Sequence, residues 1–260
     1  MVRWAKITDT PNPHPDVNPP YMSWTQPPPS GGPRRGYHHG NLREALIQAA
    51  QDLIGAKGPA GFTIAEAARL AGVSPAAPYR HFPHAESLLA EVATRGFDAF
   101  RDRLAAALDA APKNDPARAA EAVGRAYLGF AREEPAFYAA MFEARIDRGP
   151  FPDLQAAGDR AFAVLRALAE RLTAAARIQP KPPALMIALH LWSTAHGIAS
   201  LFGRADPSRR PLPMSAEDLL EAAVLVYLQG LGVPGLGVPG VGVSGVGVSG
   251  VGDNVSPQSP

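Results

Sequence analysis

The polar side chains best placed to do chemistry lie within one short stretch of the chain. Thr63 and Ser74 carry hydroxyl groups at predicted helix starts, where free backbone amides also attract phosphate oxygens. Tyr79 and His81 can donate to phosphates as well, and Arg80 can form two parallel hydrogen bonds with a guanine base. Side chains of these types suit the phosphates and base edges of duplex DNA, provided that the local structure presents them together.

Two short helices joined by a tight turn must position these side chains. Thr63 and Glu66 have the spacing of a capping box, which favours a helix start at Thr63. Gly72 can adopt the positive φ that ends this helix, and Ser74 followed by proline is typical of the start of another. Phe82 is expected to anchor the second helix in the core. In such a pair, the second helix can enter a DNA major groove.

Four separated motifs extend this pattern over about residues 37 to 100. In order, they are GYHHGNLREALIQAA, FTIAEAARLAGVS, PYRHF and SLLAEVA. This ordered set resembles the DNA-binding domain of TetR-type transcriptional regulators. The resemblance implies DNA contacts from the start of the first helix of the pair and from the helix after the turn. The residues implied are Thr63, Ile64, Ala65, Ser74, Pro75, Ala76, Ala77, Tyr79, Arg80 and His81.

Two residues depart from the family pattern. Pro78 stands where the family usually has an aliphatic residue, and it can neither donate a backbone hydrogen bond nor favour α geometry at Ala77. We therefore expect the second helix to start late or with a distorted first turn. Ala85 stands where many members carry a phosphate-binding lysine. Losing one cation should weaken DNA binding and lower its salt slope by about 0.9.

A basic and aromatic segment precedes the first predicted helix. Arg34 and Arg35 begin it, and they are candidate DNA contacts if the segment enters the minor groove as homeodomain arms do. A solvated linker is the equally weighted alternative. A metal site made from His38, His39, His81 and His84 is a weaker alternative, because adjacent histidines rarely close a site by themselves. We predict no metal and no cofactor.

Composition narrows the class of protein. The chain has 260 residues, is 46% hydrophobic and carries a net charge of +1, whereas residues 34–85 carry +3. This local excess suits phosphate contact by one end of the molecule.

Cysteine is absent, which excludes disulfides, thiolate metal sites and a cysteine nucleophile. No nucleophile elbow, phosphate loop or paired carboxylates indicate an enzyme. Without a signal pattern or an apolar run of about 18 residues, we expect a soluble, cytoplasmic protein with no membrane partner.

The periodicity of apolar residues predicts an all-α protein of two domains with disordered tails. Residues 1–36 form a proline-rich disordered arm, and residues 232–260 form an elastin-like tail of five-residue repeats, either a flexible tail or a tether. Between them we place a DNA-binding domain at 37–100, with its helix-turn-helix at about 63–82, and a helical domain at 101–231. The predicted helices span about 41–56, from near 85 past 108, 116–132, 135–145, 153–177, 183–203 and 215–230.

A second resemblance lies in the helical domain. Trp192, His196 and Gly197 resemble the WHG signature of one TetR-type C-terminal domain, and the segment from Glu134 to Phe142 fits the same subgroup. His196 either orders a small-molecule pocket or belongs to a packed Trp/His pair that supports helix contacts. The candidate pocket residues are Phe130, Phe137, Tyr138, Met141, Phe142, Trp192 and His196.

Together, the resemblances imply a homodimeric, ligand-controlled repressor that binds a near-palindromic double-stranded operator. The family places the dimer interface on the last two helices, and their apolar faces are compatible with that role. The effector is an unknown small molecule. An activator, or a repressor that responds to no ligand, is the alternative within the same fold.

Overall fold

A computed structural model describes residues 42–202 and 214–233 of the chain. The predictions for the proline-rich arm, for Arg34 and Arg35, and for the repeat tail fall outside these residues. All regular elements within the described ranges are helical, which confirms the all-α prediction. They are α1 (Leu42–Lys57), α2 (Ile64–Leu70), a 3₁₀ helix (Ala77–Arg80), α3 (Ala85–Ala110), α4 (Pro116–Glu133), α5 (Pro135–Phe142), α6 (Pro152–Ala175), α7 (Ala184–Phe202) and α8 (Ala216–Gly230).

Local signals in the sequence fix several helix starts. The hydroxyl of Thr63 accepts from the Glu66 amide while the Glu66 carboxylate accepts from the Thr63 amide, so the predicted capping box is present. Ser215 begins α8 in the same way. Proline occupies the first turn of α4, α5 and α6, where the missing amide hydrogen is not needed.

The N-terminal helices form a small head around a shared core. Leu46 and Ile54 of α1 pack with Phe62, Phe82 and Leu88, and all five side chains are buried. Ion pairs add a second link between α1 and α3, because the Arg95 guanidinium on α3 bonds to the Glu44 carboxylate on α1. The same guanidinium holds the pKa of Glu44 below its usual value.

The remaining helices form a bundle that continues the core of the head. α3 runs from the head into this bundle, where it packs against α4, α5 and α6. α6 packs on α7, and α8 packs on α4 and α7. The predicted domain boundary near residue 100 therefore falls within one continuous helix, α3. The division into two domains stays a prediction.

α7 is the most apolar of the long helices. The expectation that no apolar run reaches about 18 residues does not hold for this helix, because its 19 residues are by length and composition apolar enough to cross a membrane. One-third of that stretch is buried in the chain. Core helices of soluble proteins can be equally long and apolar. Its buried side includes Ile187, Leu191 and Ile198, whereas its exposed side carries large apolar residues. These exposed residues are Leu185, Met186, Leu189, Leu201 and Phe202.

Candidate functional site

Most of the residues implicated in DNA contact are exposed side chains of the head. We call them the reading residues: Thr63, Ala65, Ser74, Pro75, Ala76, Tyr79, Arg80 and His81. Tyr79 is the largest of them and is 54% exposed. Two other predicted contacts differ, because Ile64 is only 7% exposed and Ala77 is half-buried. The Ile64 side chain belongs to the core, so a contact between Ile64 and DNA would have to come from its backbone, and this contact stays a prediction.

The turn between α2 and the 3₁₀ helix has the geometry of a Schellman motif. Gly72 has φ +72°. Its amide donates to the Arg69 carbonyl at 3.1 Å, and the Val73 amide donates to the Ala68 carbonyl at 3.0 Å. Val73 then packs against the core. This turn ends α2 and directs the chain toward Tyr79.

The helix after the turn is shorter than the sequence pattern suggested. The prediction that Ser74 and Pro75 start an α-helix is wrong: a four-residue 3₁₀ helix begins at Ala77, with no side-chain cap. Pro78 explains the distortion, because it is buried and lacks the amide hydrogen that an α-helix would use. Its carbonyl accepts from the amides of His81 and Phe82, each at 2.9 Å. The expected distortion at Pro78 is thus confirmed.

This tight turn separates the aromatic side chains of the segment. Phe82 is 3% exposed and anchors the segment in the core, whereas Tyr79 points away from it. The Arg43 guanidinium lies 5.6 Å from the centroid of the Phe82 ring. The reading residues are therefore held by a buried anchor directly beside them.

Ion pairs engage two other cations of the head but not Arg80, among the described residues. In the head, Lys57 pairs with Glu66 at 2.6 Å, and Arg43 pairs with Glu91 at 2.7 Å. Within residues 42–202 and 214–233, neither Arg80 nor Arg69 takes part in an ion pair, and both are exposed. Arg69 was not singled out from the sequence, because no motif distinguishes it from other surface cations. An unpaired guanidinium can bind phosphate or guanine without first breaking an ion pair.

A cavity of about 350 Å³ lies in the bundle, between α3, α5, α6 and α7. Three of the predicted pocket residues line it, namely Met141, Phe142 and Trp192. The pocket residues predicted from the sequence did not include the rest of the lining, because its apolar members have the spacing of ordinary core positions and its charged members lie in no motif. These other lining residues are Phe97, Phe100, Arg148, Gly158, Asp159, Ala161, Phe162, Leu165 and Leu189.

Four predicted pocket residues do not line this cavity. Phe130 is buried in the core with its ring 5.0 Å from that of Phe100, and Phe137 packs beside Gly96 on α3. Tyr138 and His196 instead form a hydrogen-bonded cluster one layer behind the cavity wall. Both of their rings contact Phe142, with centroids 4.9 Å away.

The cluster around His196 is a polar network inside the bundle. The hydroxyls of Tyr127 and Tyr138 lie 3.0 and 2.9 Å from His196 Nδ1, and the Ser200 hydroxyl lies 3.4 Å from Nε2. Burial lowers the pKa of His196, opposed by the charge of Glu143, and burial raises the pKa of Tyr127 well above its usual value. The lowered pKa favours the neutral imidazole, whose ring contacts Phe142 in the cavity wall.

Comparisons with solved structures agree with this architecture. A protein of unknown function from Rhodococcus sp. RHA1 is 29% identical, covers 76% of this chain and 99% of its own, and has a TM-score of 0.63. The TetR family regulator PfmR from Thermus thermophilus is 24% identical, with coverages of 72% and 98% and a TM-score of 0.56. AibR, solved with isovaleryl coenzyme A and operator DNA, is 18% identical, with coverages of 71% and 97% and a TM-score of 0.56. No curated protein sequence matches the chain.

Two family models match the chain, and together they cover more than half of it. The model for bacterial regulatory proteins of the tetR family matches residues 46–92, which include the capping box, the Gly72 turn and the reading residues. The model for the tetracyclin repressor-like C-terminal domain matches residues 120–227, which include Trp192, His196 and Gly197. The chain is a member of the TetR family of transcriptional regulators.

Proposed function

We propose that this regulator is a dimeric repressor that binds a near-palindromic operator and leaves it when a small molecule occupies the bundle cavity. The observation that carries the proposal is the exposure of Tyr79, Arg80 and His81 beside the buried anchor Phe82. An exposed aromatic, an unpaired guanidinium and an imidazole on a turn anchored by Phe82 suit the phosphates and base edges of a major groove.

The exposed face of α7 and α8 supports the dimer. Val226 on α8 is 69% exposed, and Leu185 and Leu189 on α7 are also exposed. Gly197 and Gly230 have no atom within 4 Å of the place where a Cβ would lie, so the face has room for a close helix approach. Two copies of this face would bury each other in a four-helix interface related by a two-fold axis. The operator would then share that symmetry.

Two helices connect the cavity to the head. α3 starts in the head at Ala85, and its Phe97 and Phe100 line the cavity. α5 is the second connection, because Ala136 lies 3.6 Å from the Cβ position of Gly55 on α1. At the other end of α5, Met141 lines the cavity.

A ligand would act through these two connections by stabilising one head spacing over another. It can shift DNA binding only as far as its affinities for the two spacings differ. The structure of AibR with both isovaleryl coenzyme A and operator DNA gives a relative of the same fold that holds both kinds of partner. By this analogy, the cavity and the reading residues of the present chain would be two coupled sites.

Enrichment from a random duplex DNA library tests the proposal. The full chain, immobilised and washed at moderate salt, should enrich an inverted repeat whose half-sites lie about 10 base pairs apart, or a multiple of that spacing. Arg166→Ala serves as the control, because Arg166 is exposed on α6 and should leave the enriched sequence unchanged. Enrichment of no sequence, or of one without two-fold symmetry, would contradict a dimeric operator-binding repressor.

A further inference from the structure

We propose that the cavity takes an anionic ligand with an apolar, aromatic-sized body, a carboxylate or similar acid whose charge Arg148 binds. The inference rests on the proposed ligand-responsive function and specifies the chemical class of the ligand. It comes from the side chains of the cavity wall and from the way their charges are paired.

Apolar groups form most of the cavity wall. The rings of Phe97, Phe100, Phe142, Phe162 and Trp192 face it from α3, α5, α6 and α7. A space of about 350 Å³ is within the size range of small-molecule sites, and burying an apolar body there is favourable. The lining therefore selects the body of the ligand by size and apolarity.

Arg148 is the cation of the wall. It lies in the segment between α5 and α6, is half-buried, and has its guanidinium 5.1 Å from the centroid of the Phe97 ring. No ion pair engages it among the residues that the structure describes. The guanidinium lies over the Phe97 ring, and its N–H groups can bind a carboxylate with two parallel bonds.

Gly158 supplies the space for this guanidinium. A Cβ at position 158 would lie 3.1 Å from Arg148 Nη1 and 4.0 Å from the Phe97 ring. A larger residue here would push Arg148 away from its place beside the ring. Glycine at this position of α6 thus keeps the cation at the cavity wall.

Asp159 is the acidic residue of the wall, but its exposure and its existing hydrogen bond make it a poor partner for a cationic ligand. It is exposed rather than half-buried, and its carboxylate already accepts a hydrogen bond from Gln155 Nε2 at 2.9 Å. A positively charged ligand would also meet Arg148 across the same space. The more buried of the two charges is the positive one, so the wall selects an anion.

Calorimetric titration of the full chain with three matched probes tests this inference. Naphthylacetate, naphthylethanol and naphthylethylammonium share one ring system and differ in the charge of the head group. We expect naphthylacetate to bind at least about tenfold more tightly than the alcohol, and the ammonium compound to bind weakest. Arg148→Gln should remove the preference for the acid and leave the alcohol affinity unchanged, which also shows that the variant is folded.

Matched variants make the result specific to Arg148. Arg166→Gln removes the same charge from the same domain outside the cavity and should keep the preference, and Asp159→Asn should keep it too. Gly158→Ala should weaken it. A preference for the ammonium compound, a preference for the acid that survives Arg148→Gln, or no binding of any probe would overturn the inference.

The titrations contain no DNA, so their outcome is independent of operator binding. If naphthylacetate binds through Arg148 but no operator is enriched, the ligand class stands and the repressor proposal fails. If an operator is enriched but the probes show no preference for the acid, the repressor proposal stands and the ligand class is wrong.

Discussion

The head and the bundle cavity present their candidate site residues in opposite ways. In the head, Tyr79 and Arg80 point outward from one short turn, and the buried Phe82 beside them holds that turn. In the bundle, Phe97 and Trp192 point inward from helices that are far apart in the sequence. The outward surface therefore depends on local backbone geometry, whereas the inward surface depends on how whole helices pack.

Replacing one aromatic in each region gives the largest effects. Phe82→Ala should lower the free energy of unfolding by about 3–5 kcal/mol, because the ring fills the small core of the head. Phe162→Ala should cost less, since that half-buried ring already borders an open cavity. Urea denaturation of both variants measures the difference. Equal losses would mean that the cavity wall is packed as tightly as the head.

The exposed apolar face of α7 is a second outward surface, and unlike the surface of the head it lacks charge. Gly197→Leu should fit within one protomer, because no neighbouring side chain lies within 4 Å of the place where its Cβ would be. The larger side chain should, however, block the close approach of α7 from a second copy. We expect the dimer to weaken by at least about tenfold, near 1.4 kcal/mol. Sedimentation velocity over a range of concentrations measures this. Ala163→Leu on the exposed side of α6 is the control, and an equal effect there would argue against this interface.

A smaller effect is expected from the pH dependence of stability at His196. Burial lowers the pKa of this imidazole in the folded chain, so the unfolded chain binds the proton more readily. The stability from neutral His196 is present above the unfolded pKa, about 6.5, and is lost as the pH falls through the folded value. His196→Gln should therefore flatten the fall in melting temperature between pH 7.5 and pH 5.0, relative to the exposed His84→Gln. If melting temperature falls with pH in parallel for the unaltered chain and both variants, His196 is not the source of the pH dependence.

The head could largely be predicted from the sequence because its signals are local. The capping box at Thr63 and the turn at Gly72 each depend on residues within a few positions. Even the distortion at Pro78 followed from the chemistry of one residue, although the 3₁₀ helix that results did not. The family pattern that implicates Ile64 does not separate backbone from side-chain contacts, and the side chain itself is buried.

The cavity could be predicted only in part because its wall comes from four helices. Met141, Phe142 and Trp192 were found through a resemblance, but Phe162 has the same apolar spacing as core residues. Arg148 lies between two helices in no recognisable motif, so nothing local marks it as a wall residue. Which apolar faces leave a space unfilled is decided by helix packing, which one sequence does not specify.

Affinity for the enriched operator is the most direct test of the claim that the turn after Gly72 reads DNA. Fluorescence anisotropy should show that Tyr79→Ala and Arg80→Ala each weaken binding by about tenfold or more, while Arg166→Ala binds as the unaltered chain does. Arg80→Ala should also relax the sequence preference if it contacts a base, or lower the salt slope by about 0.9 if it contacts a phosphate. Unchanged affinity and unchanged sequence preference in both variants would show that Tyr79 and Arg80 do not contact the operator.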